Sequence, residues 1–195
     1  MTSTNTIVCV RHGETTWKRE GRTQGQLDSP LTDVGIRQVR ELASELQSEG
    51  FGFILSSPLG RALQTTEILL QQLDISDWRS SDHIAERYEG VFQGLTRTQQ
   101  VEQFPQCFDK DSGQLDLDLI PQIEPTSHFL DRVRMGLRKI SQHAKTTPVL
   151  VVTHTGILQA LIALVSGKDY LRECTQRSFG FCEILRLDRA KIEPS

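Results

Sequence analysis

The chain has 195 residues, of which 37% are hydrophobic and 24% are charged, and its formal net charge is −3. This balance is typical of one globular domain with a sizeable core, and the acidic charge argues against a nucleic-acid-binding surface. No apolar run approaches the roughly 20 residues that cross a bilayer, and MTSTNT lacks the basic flank and apolar stretch of a secretion signal. We therefore expect a cytoplasmic protein that binds neither nucleic acid nor membrane.

The four cysteines are far apart in the sequence and form no pair with metal-site spacing: Cys9, Cys107, Cys174 and Cys182. Cys9 and Cys182 lie in apolar runs, which predicts that both are small core residues. A cytoplasmic location keeps thiols reduced, so no disulfide is expected.

The first half of the chain predicts strands that alternate with helices. Residues 6–11 are a continuous apolar, β-branched run, as in a buried strand. Thr32 can cap a helix that carries apolar residues at helical spacing and stops at Gly50. Residues 51–57 form a second apolar strand, and Ser57 followed by Pro58 predicts the start of another helix.

The second half continues the same alternation. A weak strand near 79–85 is followed by a short helix over 96–104 and a longer amphipathic helix over 126–144. The most apolar strand, 148–154, leads into a buried helix, and a strand over 178–187 closes the chain.

This order predicts a three-layer α/β/α sandwich with a mostly parallel central sheet. The sequence contains neither an internal repeat nor a linker, so we expect one domain over residues 1–195. Residues 106–125 are irregular and acidic, and they are long for a loop without a function. We therefore predict that residues 90–125 form a lid or rim insertion.

Two strand ends are alike in residue type, TIVCVRHG and VLVVTHTG. Ligands of open parallel sheets lie beyond the carboxyl ends of the strands, so His12 and His154 would meet there if their strands are neighbours. Arg11, Arg61 and the backbone amide of Thr155 would join them, since helix starts present free N–H groups. Taken alone, each histidine is more typical of a structural residue, and Arg61 of a surface charge. Together they predict a site for a phosphoryl dianion.

Five segments in this order resemble the histidine phosphatase superfamily: RHGETTW, QGQLDSPLTDVG, SSPLGRALQT, AERYEG and THTG. Cofactor-dependent phosphoglycerate mutases and small bacterial phosphatases are branches of this superfamily. The resemblance covers roughly residues 7–165, and it implies a phosphoglycerate mutase-like fold.

The resemblance implies that His12 is a nucleophile that becomes a phosphohistidine. It implies that Arg11, Arg61 and His154 bind the phosphoryl oxygens and stabilise charge in the transition state. Since these positive groups disfavour the imidazolium, His12 is expected to be neutral, with a backbone carbonyl fixing its tautomer.

The resemblance places Glu86 of AERYEG at the position of the general acid, which protonates the leaving oxygen. Glu89 is the competing acid, and an ion pair with a surface arginine is the structural alternative for Glu86. Cationic side chains take the place of an ion, so neither a metal nor a cofactor is implied.

The expected substrate-binding set combines the motif residues with the rim of the pocket: Arg11, Thr15, Lys18, Gln24, Gly25, Arg61, Glu86, His154 and Thr155. Lys18 replaces an asparagine that is common in relatives, so it either reaches a second anionic group or is a surface lysine. Relatives often carry Gly-Glu-Ser where this chain has IEPTSHF, so no contact from Glu124 or Ser127 is carried over.

A mutase must exclude water and needs a second anion site, whereas residues 106–125 are the only candidate cover here. We therefore expect a metal-independent phosphatase, with a phosphoglycerate mutase as the alternative. A catalytically idle binding or regulatory module is the third possibility. The expected partner is a small phosphorylated metabolite, and the protein is expected to be a monomer or a homodimer.

Overall fold

The computed structural model describes residues 6–192, and its centre is a five-stranded sheet in the order β3-β2-β4-β1-β5. The strands are β1 (Thr6–Arg11), β2 (Phe53–Ser56), β3 (Trp78–Ser80), β4 (Val149–Thr153) and β5 (Ile184–Asp188). All neighbouring pairs are parallel except β1 and β5, which are antiparallel. The predicted α/β class and mostly parallel sheet are confirmed.

Helices cover both faces of the sheet, as the three-layer prediction requires. They are α1 (Thr16–Arg19), α2 (Asp33–Leu46), α3 (Gly60–Leu70), α4 (Arg97–Gln103), α5 (Thr126–His143), α6 (Thr155–Ser166) and α7 (Tyr170–Gln176). Buried side chains of α2 and α3 pack against one face of the sheet, and those of α5 and α6 pack against the other. Because both faces are covered, the strands are apolar up to their ends, at Ile7–Val10 of β1, Phe53–Leu55 of β2 and Val149–Val152 of β4.

The register of the three inner strands aligns their carboxyl ends. Arg11 of β1 lies opposite Thr153 of β4, and Ser56 of β2 lies opposite Val152. The residues that follow these strands, His12, Ser57 and His154, therefore meet at one edge of the sheet, as the two similar strand ends predicted.

The predicted cap of α2 is confirmed. Thr32 Oγ1 accepts a hydrogen bond from the Gly35 amide at 3.0 Å and donates to Glu14 Oε1 at 2.6 Å. A Cβ atom on Gly35 would lie 2.2 Å from the Glu14 carbonyl oxygen, so only glycine allows this close approach. The start of α2 thereby fixes the loop that follows β1.

The segment predicted as a lid or rim folds around an apolar cluster of its own, made of Phe92, Cys107, Phe108 and Ile120. Besides helix α4, the segment contains three short 3-10 turns, Gly90–Phe92, Pro105–Cys107 and Leu117–Leu119. Residues 90–125 therefore have a small core separate from the two clusters that cover the sheet. That they form an insertion into a single domain over 1–195 stays a prediction.

The last strand is shorter than predicted, because β5 begins at Ile184 rather than near Ser178. Cys182 has φ +57°, a left-handed conformation that a strand cannot contain. Cys9 is fully buried as predicted, whereas Cys182 is only partly buried and packs against the edge of the core cluster on the α2 and α3 side of the sheet.

Two short helices were not predicted. Helix α1 buries none of its residues, so it has no apolar periodicity to detect. Helix α7 is capped by Asp169, whose side chain accepts from the Arg172 amide at 2.9 Å. Between residues 6 and 192, every helix is too short or too polar to cross a bilayer. All but the last residue of the stretch MTSTNT lie outside the described residues. The prediction that it is not a secretion signal therefore concerns residues that the structure does not describe.

Candidate active site

A cavity of about 320 Å³ lies beyond the carboxyl ends of β1 and β4. The imidazole of His12 is in its wall, together with the cationic side chains of Arg11, Lys18, Arg61 and Arg87. Glu86 and Glu89 are the carboxylates that line it among residues 6–192. Positive charge therefore surrounds the imidazole, and carboxylates face it across the cavity.

His12 has one ring nitrogen bound and the other presented as an acceptor. Its Nδ1 lies 2.7 Å from the Gly13 carbonyl oxygen, which can only accept, so we assign the proton to Nδ1. Nε2 then accepts from Arg61 Nε at 3.2 Å. Burial, followed by the charges of Arg61 and Arg11, lowers the pKa of His12 well below its ordinary value. The ring is therefore neutral at pH 7, with a lone pair on Nε2.

Arg61 is held rigidly at the start of α3. Nη2 donates to the Gly25 carbonyl at 2.8 Å, and Nη1 donates to the Leu27 carbonyl at 2.9 Å and to Asp28 Oδ1 at 3.1 Å. Only 2% of the Arg61 side chain is exposed, and burial lowers its pKa. The position of this guanidinium beside His12 is thus fixed before any ligand binds.

Arg11 is positioned by the loop before β5. Its guanidinium lies over the Phe181 ring, 4.1 Å from the centroid, and Nη1 donates to the Phe179 carbonyl. The backbone of Arg11 is also held by this loop. Arg11 N donates to Glu183 O at 3.3 Å, and Cys182 N donates to Arg11 O at 3.1 Å. Within the described residues Arg11 Nε is buried without a partner, and burial lowers the pKa of Arg11 to about 10. Arg11 lines the cavity, so its guanidinium is available to an anion bound there.

Replacing Phe181 by leucine is expected to weaken the binding of inorganic phosphate about fivefold, because Arg11 loses the ring that it lies on. The inhibition constant of phosphate checks this, with phosphomonoester kcat recorded separately. Phe181→Tyr keeps the ring and is expected to bind as the wild type. Trp78→Leu removes an exposed aromatic residue of β3 and serves as the control. Equal losses in Phe181→Leu and Trp78→Leu would contradict the positioning role.

His154 lies behind His12 rather than on the cavity wall. The two ring centroids are 5.2 Å apart, and His154 is fully buried. Its Nε2 lies 2.7 Å from Ser57 Oγ, while in the described part of the chain Nδ1 is buried without a partner. Burial, followed by the charge of Arg61, lowers the pKa of His154 well below its ordinary value. Two neutral imidazoles therefore lie side by side.

Glu86 is anchored at the start of α6. Oε1 accepts from the Arg87 amide at 2.9 Å and Oε2 from the Gly156 amide at 3.2 Å. A Cβ atom on Gly156 would lie 2.4 Å from Glu86 Oε1, so the carboxylate occupies the space that a side chain would fill. The helix dipole and the two amides orient this carboxylate towards the cavity that it lines.

Glu89 is the second carboxylate of the cavity. Burial, followed by the charge of Glu86, raises the pKa of Glu89 to about 7, and Lys18 partly opposes this shift. The cavity thus holds two carboxylates, and the raised pKa of Glu89 makes it a candidate for proton transfer near neutral pH.

Glu89→Gln is expected to stabilise the protein increasingly as the pH rises from about 5 to about 6.5. Between its unfolded and folded pKa values the folded state holds a proton on Glu89 that the unfolded chain has lost, so wild-type stability falls as pH rises. The difference in unfolding free energy should grow by up to about 1.4 kcal/mol per pH unit. Urea denaturation at both pH values measures it, with Glu45→Gln on the exposed surface of α2 as control. Parallel pH profiles of wild type and Glu89→Gln would contradict the raised pKa.

Most of the remaining predicted binding residues line the cavity, namely Lys18, Gln24, Gly25 and Thr155. Thr15 does not, because it is fully buried and its hydroxyl donates to Gln24 Oε1. Gln24 Nε2 is buried without a partner inside residues 6–192. Thr15 thus orients Gln24, which lines the cavity.

Sequence reasoning missed several residues of the far wall: Arg87, Leu117, Ile123, Gly156, Gln159, Tyr170, Cys174 and Ser178. Arg87 is buried, and it donates from Nε to Glu124 O and from Nη2 to Thr126 Oγ1, both at 2.9 Å. The sequence signal for Arg87 was its position directly after Glu86 in AERYEG. Glu124 pairs instead with Arg132 at 2.7 Å, and Ser127 is exposed and outside the cavity wall.

Comparisons with known proteins agree on the family. The model of the histidine phosphatase superfamily, branch 1, matches residues 7–191. The chain is 32% identical over 165 residues to the uncharacterized phosphatase PhoE of Bacillus subtilis, covering 84% of this chain and 79% of that protein. It is 33% identical over 186 residues to a probable phosphoglycerate mutase, GpmB of Proteus mirabilis, covering 93% and 84%.

Among solved structures, Bacillus stearothermophilus YhfR superposes with a TM-score of 0.83 at 27% identity, covering 93% of this chain and 89% of that one. The family model, the similar sequences and the similar structure thus agree with one another. This chain therefore belongs to the histidine phosphatase superfamily.

Proposed function

We propose that this protein is a metal-independent phosphatase that hydrolyses a small phosphomonoester through a phosphohistidine on His12. The observation that carries the proposal is the presentation of His12 Nε2 as a neutral acceptor, 3.2 Å from Arg61 Nε, in the wall of a cavity that Arg11 also lines. A nucleophile with two guanidiniums around it suits in-line attack on phosphorus, where charge builds up on the equatorial oxygens.

The reaction has two steps. His12 Nε2 attacks phosphorus, the bond from phosphorus to the ester oxygen breaks, and Glu86 gives its proton to the leaving alcohol. Water then attacks the phosphohistidine while Glu86 takes a proton from it, and His12 leaves with its electron pair restored. Arg11 and Arg61 line the cavity and are the proposed ligands of the phosphoryl oxygens in both steps. His154, which the sequence predicted as a third ligand, lies behind His12 and outside the described cavity wall.

We assign the acid role to Glu86 rather than Glu89 on electrostatic grounds. Glu86 is the carboxylate that most strongly opposes the lowered pKa of both Arg11 and Arg61. Glu89 instead acts most strongly on the pKa of Lys18, at the outer part of the cavity. The carboxylate of Glu86 is therefore the one coupled to the guanidiniums that would bind the phosphoryl group.

A phosphatase is favoured over a mutase by what covers the cavity. Residues 90–125 fold around their own apolar cluster. Among the described residues, this segment contributes only Leu117 and Ile123 to the wall of the active-site cavity, and Glu89 lies just before it. A rim of this kind admits water, which a mutase must exclude. Lys18 and Arg87 favour the mutase alternative, since they provide two further cations for a second anionic group.

Phosphate release across a panel of phosphomonoesters, with EDTA present, tests the proposal beside an assay for isomerisation of 3-phosphoglycerate to 2-phosphoglycerate. Release that survives EDTA is expected, and isomerisation is expected to be absent. Isomerisation with little release would replace the phosphatase by the mutase. Silence in both assays would overturn the proposal in favour of an idle binding module.

A further inference from the structure

The segment that carries Glu86 is irregular, since residues 85–88 belong to no helix or strand. The Glu86 carboxylate accepts from the amides of Arg87 and Gly156, and the first of these amides belongs to the same segment. The direction of the carboxylate therefore depends on what holds the backbone of residues 85–87.

Arg132 of α5 holds this backbone from the side of the helix. Its Nη1 donates to the Ala85 carbonyl at 2.6 Å, and its Nη2 donates to the Glu86 carbonyl at 3.0 Å. Nη1 also donates to the Asp82 carbonyl at 3.2 Å, within the turn that precedes the segment. The side-chain amide of Gln26 donates to the same Glu86 carbonyl at 3.1 Å. One guanidinium thus contacts two consecutive carbonyls at the acid and a third just before it.

Glu124 orients this guanidinium. Its Oε1 accepts from Arg132 Nε at 2.7 Å and its Oε2 accepts from Nη2 at 2.8 Å, a paired geometry that fixes the guanidinium plane. Glu124 is itself bound to the segment, because its amide donates to the Tyr88 carbonyl and its carbonyl accepts from Arg87 Nε, both at 2.9 Å. Only 18% of the Arg132 side chain and 16% of the Glu124 side chain are exposed, so water competes little for these bonds.

The packing of α5 determines where Arg132 lies. Its guanidinium lies over the Phe129 ring, 4.8 Å from the centroid. One turn further along, a Cβ atom on Gly136 would lie 3.0 Å from Ile84 Cγ2, so glycine lets α5 approach the turn before Glu86 closely. Every nitrogen of the guanidinium donates to a protein acceptor, and Arg132 is outside the described cavity wall. Arg132 therefore affects the cavity through the segment that it holds.

We propose that Arg132 is a positioning residue for the general acid. By fixing the carbonyls of Ala85 and Glu86, it keeps the Glu86 carboxylate at the start of α6, where it lines the cavity. This inference rests on the proposed function, because it needs Glu86 as the acid. A displaced acid slows an ester whose leaving oxygen needs a proton far more than an ester whose leaving group departs without one.

The test compares Arg132→Met with the wild type on glucose 6-phosphate and on p-nitrophenyl phosphate. We expect kcat/KM to fall about tenfold more for glucose 6-phosphate than for the aryl ester. Both substrates meet the same folded fraction of enzyme, so a loss of stability alone would lower both values equally and leave their ratio unchanged. When Arg132→Met is combined with Glu86→Gln, the ratio is expected to equal that of Glu86→Gln alone, since no acid is left to position.

Two further variants separate geometry from charge and from the helix surface. Arg132→Lys keeps the charge without the forked donors, so it is expected to show the same selective loss as Arg132→Met. Arg134→Met is the matched control, because Arg134 is exposed on α5 and pairs with Asp131, and it is expected to keep the wild-type ratio. Equal losses on both esters in Arg132→Met, or a wild-type ratio in Arg132→Lys, would overturn the inference.

A measurement without turnover distinguishes failure of this inference from failure of the proposed function. Hydrogen exchange of the Arg87 and Gly156 amides, followed by NMR, is expected to be about tenfold faster in Arg132→Met, relative to the Leu42 amide of α2 as a reporter of global unfolding. Unchanged relative exchange at both amides would overturn the inference. Failure of the wild-type protein to release phosphate from any ester would overturn the proposed function instead, and amide exchange would still decide whether Arg132 holds the carboxylate.

Discussion

His12→Ala is expected to lower kcat for phosphomonoester hydrolysis by about 10⁴-fold or more, because no phosphohistidine can form. Solvent water cannot substitute efficiently, since the arginines are arranged around a phosphoryl group that the imidazole attacks. Steady-state phosphate release measures the loss. Wild-type protein quenched during turnover should also carry a label from ³²P-phosphomonoester that the variant lacks.

His128→Ala is the matched control, because His128 is exposed on α5 and lies outside the cavity wall. It is expected to turn over as the wild type does. Circular dichroism and the thermal unfolding midpoint establish that His12→Ala is folded. Turnover by folded His12→Ala within tenfold of the wild type would rule out His12 as the nucleophile.

Glu86→Gln is expected to separate substrates by their leaving group. For an alkyl phosphate such as glucose 6-phosphate, kcat/KM should fall about 10²- to 10³-fold, because the departing alkoxide has lost its acid. For p-nitrophenyl phosphate the loss in kcat/KM should stay below about tenfold, since that leaving group departs without a proton. Glutamine keeps the size of the side chain, and its single oxygen can still accept from the Gly156 amide, while the Arg87 amide loses its acceptor.

Glu89→Gln provides the comparison within the same cavity. With Glu86 as the acid, it should reduce kcat/KM of both substrates by similar, small factors. A selective loss on the alkyl phosphate in Glu89→Gln, with uniform losses in Glu86→Gln, would exchange the two roles. Comparing the two variants is necessary because Glu89 is also suited to acid catalysis. Its pKa is raised to about 7, so its carboxyl group can hold a proton near neutral pH.

The sequence by itself determined the layers of the fold. The apolar runs at 6–11 and 148–154 are buried on both faces of the sheet, and a continuous apolar strand has no other stable location. Thr32 and the periodic residues of α2 predicted that helix because a cap and a 3.6-residue period are local properties. Helix α1 escaped prediction because it buries none of its residues, and α7 escaped it because seven residues are too few to establish a period.

The sequence also indicated which polar residues meet. His12 and His154 follow two similar strands, and the parallel pairing of β1 with β4 places their rings 5.2 Å apart. That prediction needed only the rule that parallel strands end at the same edge of a sheet. The sequence indicated the binding set less well, because Thr15 lies beneath Gln24 rather than in the wall.

Only the tertiary structure decided how each group is held and what surrounds it. The proton on His12 Nδ1 follows from the Gly13 carbonyl, and the setting of Arg11 follows from Phe181 and the left-handed turn at Cys182. The cavity wall brings together Leu117 of the rim and Cys174 of α7, which are far apart along the chain. Motif spacing describes neighbours in sequence, whereas burial, charge and cavity shape depend on contacts between distant segments, and these arise only when the chain folds.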